Sequence, residues 1–219
     1  MDPLPSCTPP SLAAIPGGAD AWSRVPAHDL VRSTDGGPLR QRTAVRLAWH
    51  EDSLLVRFEC ADVDAWGTYS ERDAPLWSEE AVEVFLAPGG DTPRRYVEIE
   101  VSPRGVLFDA WIDNPDGLRA TMRADVSWTC PGIRWRVGPL AGGSGDADDW
   151  WAEIALPLRS LLPGARALPA LWRANFHRIE RPRRGDLPEE YAAWSPTLRD
   201  PPDFHVPSRF GVLRRPLSA

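Results

Sequence analysis

The run DAPLWSEEAVEVFLAPGG, residues 73–90, sets a large ring, Trp77, in an acidic turn just ahead of a strand-like stretch whose middle carries a carboxylate, Glu83. Three other stretches add polar groups by simple alternation, since successive strand side chains point to opposite faces. In YVEIEVS, inward Val97, Ile99 and Val101 send Tyr96, Glu98 and Glu100 outward. In WRANFHRIE, burying Trp172, Ala174 and Phe176 leaves Arg173, Asn175 and His177 outside. In VLFDAWI, inward Val106, Phe108, Ala110 and Ile112 put Leu107, Asp109 and Trp111 on the outer face. If these strands are neighbours, carboxylates gather beside Arg, Asn, His and Trp. Such a surface suits a hydroxyl-rich ligand, because sugar hydroxyls both donate and accept while pyranose C–H faces stack on rings. The plainer reading is the wet side of an antiparallel sheet, with its carboxylates paired to nearby arginines. Glu83 presses the question hardest. A lone buried carboxylate costs several kcal/mol, so Glu83 needs either a ligand or a partner such as Arg173 or Arg95.

Two catalytic or redox chemistries compete for the same residues. Glu98 with Glu100, or Glu100 with Asp109, could act as acid and base, since same-face residues on one strand lie ~6.6 Å apart at the backbone and glycosidases separate their carboxyls by about 5 to 9.5 Å. No GxSxG elbow, HExxH helix or phosphate loop accompanies them, so the chain is expected not to be an enzyme. A haem would need Met and His ligands, and Met122 is the one methionine besides Met1, with His28, His50, His177 and His205 as the histidines. A Met122–His177 pair is the conceivable set, although a lone outward His on a strand is ordinarily a surface residue. Three widely spaced cysteines, Cys7, Cys60 and Cys130, fit neither a disulfide framework nor a CxxC metal site.

The elements that must hold these groups read as β-structure throughout. The chain has 219 residues, enough for one sizeable core. Its net charge of −6 argues against nucleic acid or an anionic membrane as partner. All 25 basic residues are Arg, a bias that reads as genomic base composition. No apolar run approaches the ~20 residues of a membrane span. The opening MDPLPSCTPPSLAAIPGG lacks the basic and hydrophobic regions of a secretory signal. A soluble, cytoplasmic protein is expected as written, secreted or periplasmic if a leader has been removed. Residues 1–20 read as an irregular lead-in and 21–219 as one domain. There TAVRLAW and LLVRFEC, joined by the turn HEDS, alternate with period two, and the pattern continues through AVEVFLA, RYVEIEVS, GVLFDAWID, IRWRVGPL, DWWAEIALPL and ALWRANFHRIE. Clusters such as APGGDTP, SPRG and DNPDG mark the turns. LPLRSLLPG suggests one helical turn, AGGSGDADD a flexible loop, and PSRFGVLRRPL a closing edge strand. The fold class expected is all-β, an antiparallel β-sandwich.

Taken in order, DAPLWSEEAVEVFLAPGG, YVEIEVSPRGVLFDAW, WWAEIALPLRSL, LWRANFHRIE and DFHVPSRFGVL resemble the family 9 carbohydrate-binding modules and their stand-alone relatives. The resemblance spans nearly the whole chain. It implies a jelly-roll or immunoglobulin-like sandwich that binds a small saccharide or glycan end without catalysis. Trp77 matches the family's first clamping aromatic and Glu83 its strand carboxylate. Phe204 falls where sugar-binding members carry Trp, and Glu100 where they carry Arg, a reversal of charge. Strand alternation and the resemblance together give the expected ligand set, Trp77 and Phe204 stacking on the ring, Glu83, Glu100, Arg173 and Asn175 on hydroxyls, and Trp111 as a platform edge, with Trp194 in reserve for Phe204. Members of the family also carry structural calcium, for which Asp62, Asp64 and Asp73 are the acidic positions, but no oxygen cage is evident, and neither metal nor cofactor is assigned.

Overall fold

A computed structural model describes residues 3–140, 148–183 and 187–216. Residues 141–147, most of the loop expected at AGGSGDADD, lie outside the described residues. The strands are β1 (Ser6–Cys7), β2 (Ala27–Asp29), β3 (Val31–Arg32), β4 (Thr43–His50), β5 (Ser53–Cys60), β6 (Ala81–Pro88), β7 (Arg95–Val101), β8 (Leu107–Asp113), β9 (Arg123–Asp125), β10 (Arg134–Pro139), β11 (Trp150–Pro157), β12 (Leu171–Glu180), β13 (Glu190–Ala193) and β14 (Gly211–Arg214). Among the described residues they form two sheets. The larger runs β1-β14-β12-β6-β7-β8-β9, with β13 and then β3 continuing along the same edge of β12 that β14 occupies further down. The smaller runs β10-β11-β5-β4-β2. The expected sandwich, the hairpin between β4 and β5, and a helical turn at Leu158–Leu161 are all present. The C-terminal run is not the sheet's edge, however. β14 is flanked on its far side by β1, which pairs with it in parallel.

The two sheets close on one apolar core. Val45, Leu47 and Trp49 of β4 and Leu54, Val56 and Phe58 of β5 meet Val82, Val84 and Leu86 of β6, Val97, Ile99 and Val101 of β7, and Trp172, Ala174 and Phe176 of β12. The outer face of the large sheet is also dry. Phe85, Tyr96, Phe108, Ala110, Ile112, Ile179 and Phe210 form a second apolar cluster there, roofed by the turn at Leu76–Ser78 and by the segments around residues 119–126 and 202–210.

That second layer corrects the reading of β8. Val97 pairs with Trp111, Ile99 with Asp109 and Val101 with Leu107, so these three β8 residues share the inner face, while Phe108, Ala110 and Ile112 lie outside with the β7 glutamates. Trp111 packs against the main core, 5.5 Å from the Trp128 ring and under the Arg95 guanidinium. Asp109 accepts from the Cys130 N–H at 2.5 Å and from Arg72 at 2.7 Å. With one member on each side of the sheet, Glu100 and Asp109 cannot form an acid–base pair. Trp194 is likewise a core residue, packed edge-on against Phe176.

Candidate functional site

On the outer face of the large sheet the register places Glu83 of β6 between Glu100 of β7 and His177 of β12, while Phe85 sits between Glu98 and Asn175. Strand alternation thus delivers Glu83, Glu98 and Glu100 to one patch, where one oxygen from each lies within 4.8 Å of the others. A cleft of about 360 Å³ opens over Glu83 and Glu98. Its walls include Trp77, Phe108, Arg119, Met122, Tyr191 and Phe204. Trp77, on the short helical turn, is 43% exposed and meets Phe108 edge-to-face at 5.1 Å. Phe204 is buried and stacks flat on the His177 ring, centroids 4.0 Å apart. His205 sets Nδ1 2.8 Å from the Tyr96 hydroxyl and Nε2 3.7 Å from Glu98 Oε1. A groove of similar size on the small sheet, about 370 Å³ and lined by Ile15, Trp22, Trp135 and Arg136, has its one carboxylate, Glu153, already paired with Arg57 and Arg136.

The cleft floor holds acids in an environment that favours their neutral form. Burial pushes Glu98 up to about 7. Glu83 rises well above the ordinary carboxylate range through burial and then the Glu98 charge. Glu100 rises similarly, through burial, then Glu83 and Glu98. Burial drives His205 down to about 3, helped by Arg119, and His177 well below its usual value, helped by His205. Near neutral pH the floor is therefore an array of neutral imidazoles and largely protonated carboxyls, with proton sharing between Glu100 and Glu98 the natural contact for two acids side by side.

Of the expected site residues, Trp77, Glu83 and Phe204 line this cleft, and Glu100 lies beneath its floor, joined to Glu83 and Glu98. Arg173 does not reach it. That side chain donates to the Gly90 carbonyl at 3.3 Å, four positions along β12 from His177 or roughly 13 Å. Neither Arg173 nor Arg95 partners Glu83, since Arg95 pairs with Asp113 at 3.3 Å. Asn175 serves the fold. Its Oδ1 accepts from the N–H groups of Ser195 and Phe176, and its Nδ2 donates to the Ser195 carbonyl, all within 3.0 Å. Because these backbone groups are buried, Asn175→Ala should cost about 3 kcal/mol in urea unfolding while leaving cleft binding by the folded fraction intact. A loss below ~1 kcal/mol would mean that the clamp is dispensable.

The residues missing from the expected set are Glu98, His177, Phe108, Arg119 and His205. His205 adjoins Phe204 in DFHVPS, and Glu98 was visible as an outward acid. The position of Phe108 was hidden by the inverted reading of β8. Met122 lines the cleft, whereas His177 lies under Phe204. The acidic positions considered for calcium do not fit an ion. Asp62 Oδ2 accepts from Arg178 at 2.7 Å, so a guanidinium already stands where a cation would, while Asp64 pairs with Arg183 and Asp73 accepts from the Asp109 N–H.

No protein-family model matches the chain. It is similar in structure to a carbohydrate-binding protein from Bacteroides uniformis, with a TM-score of 0.72 at 17% identity over 96% of this chain and 99% of that one. It is also similar to a family 9 carbohydrate-binding module from Caldicellulosiruptor kristjanssonii solved with cellotriose, with a TM-score of 0.63 at 13% identity over 98% and 95% of the two chains. The same kind of module from that organism solved with glucose gives 0.61 at 13% identity over 98% and 97%. An extracellular protein from Arthroderma benhamiae is 24% identical over 172 residues, 77% of this chain and 76% of that protein. The fold is thus that of the family 9 carbohydrate-binding modules.

Proposed function

We propose that the chain is a non-catalytic carbohydrate-binding domain that takes a small saccharide or glycan end into the cleft beneath Trp77. The observation that carries this reading is the pairing of an exposed indole with a carboxyl floor in one cleft. A pyranose face stacks on the ring while its hydroxyls reach the acids. Phe204 has one ring face committed to His177, so Trp77 supplies the larger share of stacking. The likeness of the fold to carbohydrate-binding modules supports the non-catalytic part of this reading. The Caldicellulosiruptor modules bound to cellotriose and glucose support a saccharide as ligand. The Arthroderma protein's description as extracellular supports the secreted of the two compartments. No helix among the described residues is long and apolar enough to cross a membrane.

The test is calorimetric titration of the protein with glucose and short β-glucans, repeated with Trp77→Ala. Loss of one stacked face should weaken binding about tenfold or more. The unfolding free energy should change by less than ~1 kcal/mol, because the ring is already half in solvent. A marked loss of stability with unchanged binding would make Trp77 a packing residue for Phe108. Silence of the parent protein across the panel would favour a second reading, a sandwich scaffold whose sugar site is degenerate, to which the acidic patch at Glu100 points.

A further inference from the structure

We propose that His205 is a ligand-binding residue of the cleft, presenting its Nε2–H to a sugar hydroxyl beside Glu98, and that Tyr96 and Asn114 are the positioning residues that place the hydrogen on that nitrogen. This rests on the saccharide reading above and names a residue that decides which hydroxyl is recognised.

A buried chain of donors places that hydrogen. Tyr96 and Asn114 are fully buried, so their side chains must find partners within the protein. Asn114 Nδ2 donates to the His205 carbonyl at 3.2 Å and to the Tyr96 hydroxyl at 3.5 Å. Turning the amide over would set its oxygen against that carbonyl, so the nitrogen holds this position. With its oxygen accepting from Asn114, the Tyr96 hydroxyl gives its own proton to His205 Nδ1, 2.8 Å away. Burial keeps the His205 ring neutral near pH 7. A neutral imidazole whose Nδ1 accepts carries its hydrogen on Nε2.

The surroundings also fix where Nε2 sits. The backbone of His205 is held on both sides, its N–H donating to Asp203 Oδ1 at 3.0 Å and its carbonyl accepting from Asn114. The ring packs on Phe85, centroids 5.0 Å apart. Nε2 then lies 3.7 Å from Glu98 Oε1, too far for a hydrogen bond, and His205 and Glu98 both line the cleft. A sugar hydroxyl both accepts and donates. One hydroxyl can therefore take the Nε2–H and give its own proton to Glu98, joining two groups that do not bond each other.

The experiment begins with NMR of the imidazole nitrogens in the whole, isotope-labelled chain near neutral pH, with and without glucose. His205 should show a protonated Nε2 and a bare Nδ1, its Nε2–H resonance should move as glucose is added, and Tyr96→Phe should let the Nδ1–H tautomer appear. A protonated Nδ1 in the parent would overturn the positioning by Tyr96 and Asn114. Calorimetry then compares glucose with its monodeoxy analogues on the parent and on His205→Phe, which keeps a ring against Phe85 and lacks the donor. At least one analogue should bind the parent about tenfold or more weakly than glucose, and His205→Phe should bring that ratio to within about threefold. Ratios that His205→Phe leaves unchanged would overturn the inference and leave the saccharide reading standing. If urea unfolding shows that His205→Phe does not fold, an Nε2–H resonance that bound glucose leaves in place overturns the inference by itself. No binding by glucose or the short β-glucans would remove the saccharide reading, and the role of His205 as its donor with it.

Discussion

Arg178→Met is expected to destabilise the protein by about 3–5 kcal/mol near neutral pH, the usual result of removing one partner from a buried ion network. Arg178 lies on the inner face of β12 at one end of the core and is fully buried. Its guanidinium donates to Asp62 at 2.7 Å, to the Ala61 carbonyl at 2.7 Å, to Thr43 Oγ1 at 3.1 Å, and to Glu180. Glu80 completes the acidic group with Asp62 and Glu180. Even with the arginine present, burial and the neighbouring acids raise Glu80 to about 9 and burial raises Glu180 to about 7. Without it, all three acids face one another in a dry space. They must then either ionise at high cost or hold protons that the unfolded chain has released. A carboxyl raised in the folded state favours folding below its unfolded value and loses that contribution as pH rises through its folded value. The Arg178→Met deficit should therefore be largest above pH ~9 and shrink as pH falls through ~7 toward 4.5, the ordinary carboxylate value. Urea titrations across that range read the effect directly. A deficit independent of pH would mean that the acids are solvated and Arg178 serves only by packing.

The strands whose two faces differ in residue type were legible in the sequence, and the others were not. In β4, β5 and β7 the alternation separates apolar from polar faces, and each was read correctly. VLFDAWI offers no such contrast. Its two faces carry Leu107 and Trp111 on one side and Phe108, Ala110 and Ile112 on the other, because the large sheet is covered on both faces. Period-two reasoning cannot orient a strand that is apolar on both sides. The register with β7 settles it. The same burial explains the site. Asn175 and Arg173 have the residue types of sugar ligands, yet Asn175 clamps the Ser195 backbone and Arg173 the Gly90 carbonyl, partners that only the folded chain brings near. Trp77 and Glu83 were legible because a ring in an acidic turn and a carboxylate inside an apolar strand each break the local pattern. His177 was not, since nothing in FHRIE announces that Phe204 will cover it.

Glutamine at Glu100 or Glu83 should stabilise the ligand-free protein at neutral and alkaline pH while weakening the cleft. Both acids are buried and hold their protons well above the usual range, so a side-chain amide, which also donates, imitates the neutral acid without its titration. The charged groups facing them are Glu98, Arg119, Arg181, Asp203, His177 and His205, with the Tyr96 hydroxyl bonded to His205. The two histidines act in the opposite sense. Their lowered values keep them neutral when folded, so they contribute stability above the ordinary 6.5 that is lost as pH falls, toward about 3 for His205. The acids contribute below 4.5 and lose their contribution as pH rises, through about 7 for Glu98 and higher for Glu83 and Glu100. Above pH ~6.5 the histidines no longer titrate, and the wild-type slope belongs to the acids. Each acid still holding its proton there costs ~1.4 kcal/mol per pH unit, so the gain for Glu100→Gln should grow as pH rises above ~6.5. Thermal or urea unfolding of the variant minus that of the parent isolates this slope from the histidines, which are common to both. A flat difference would mean that Glu100 is already ionised when folded. A gain that grows with pH would show that the acids hold their buried place at a standing cost to the fold.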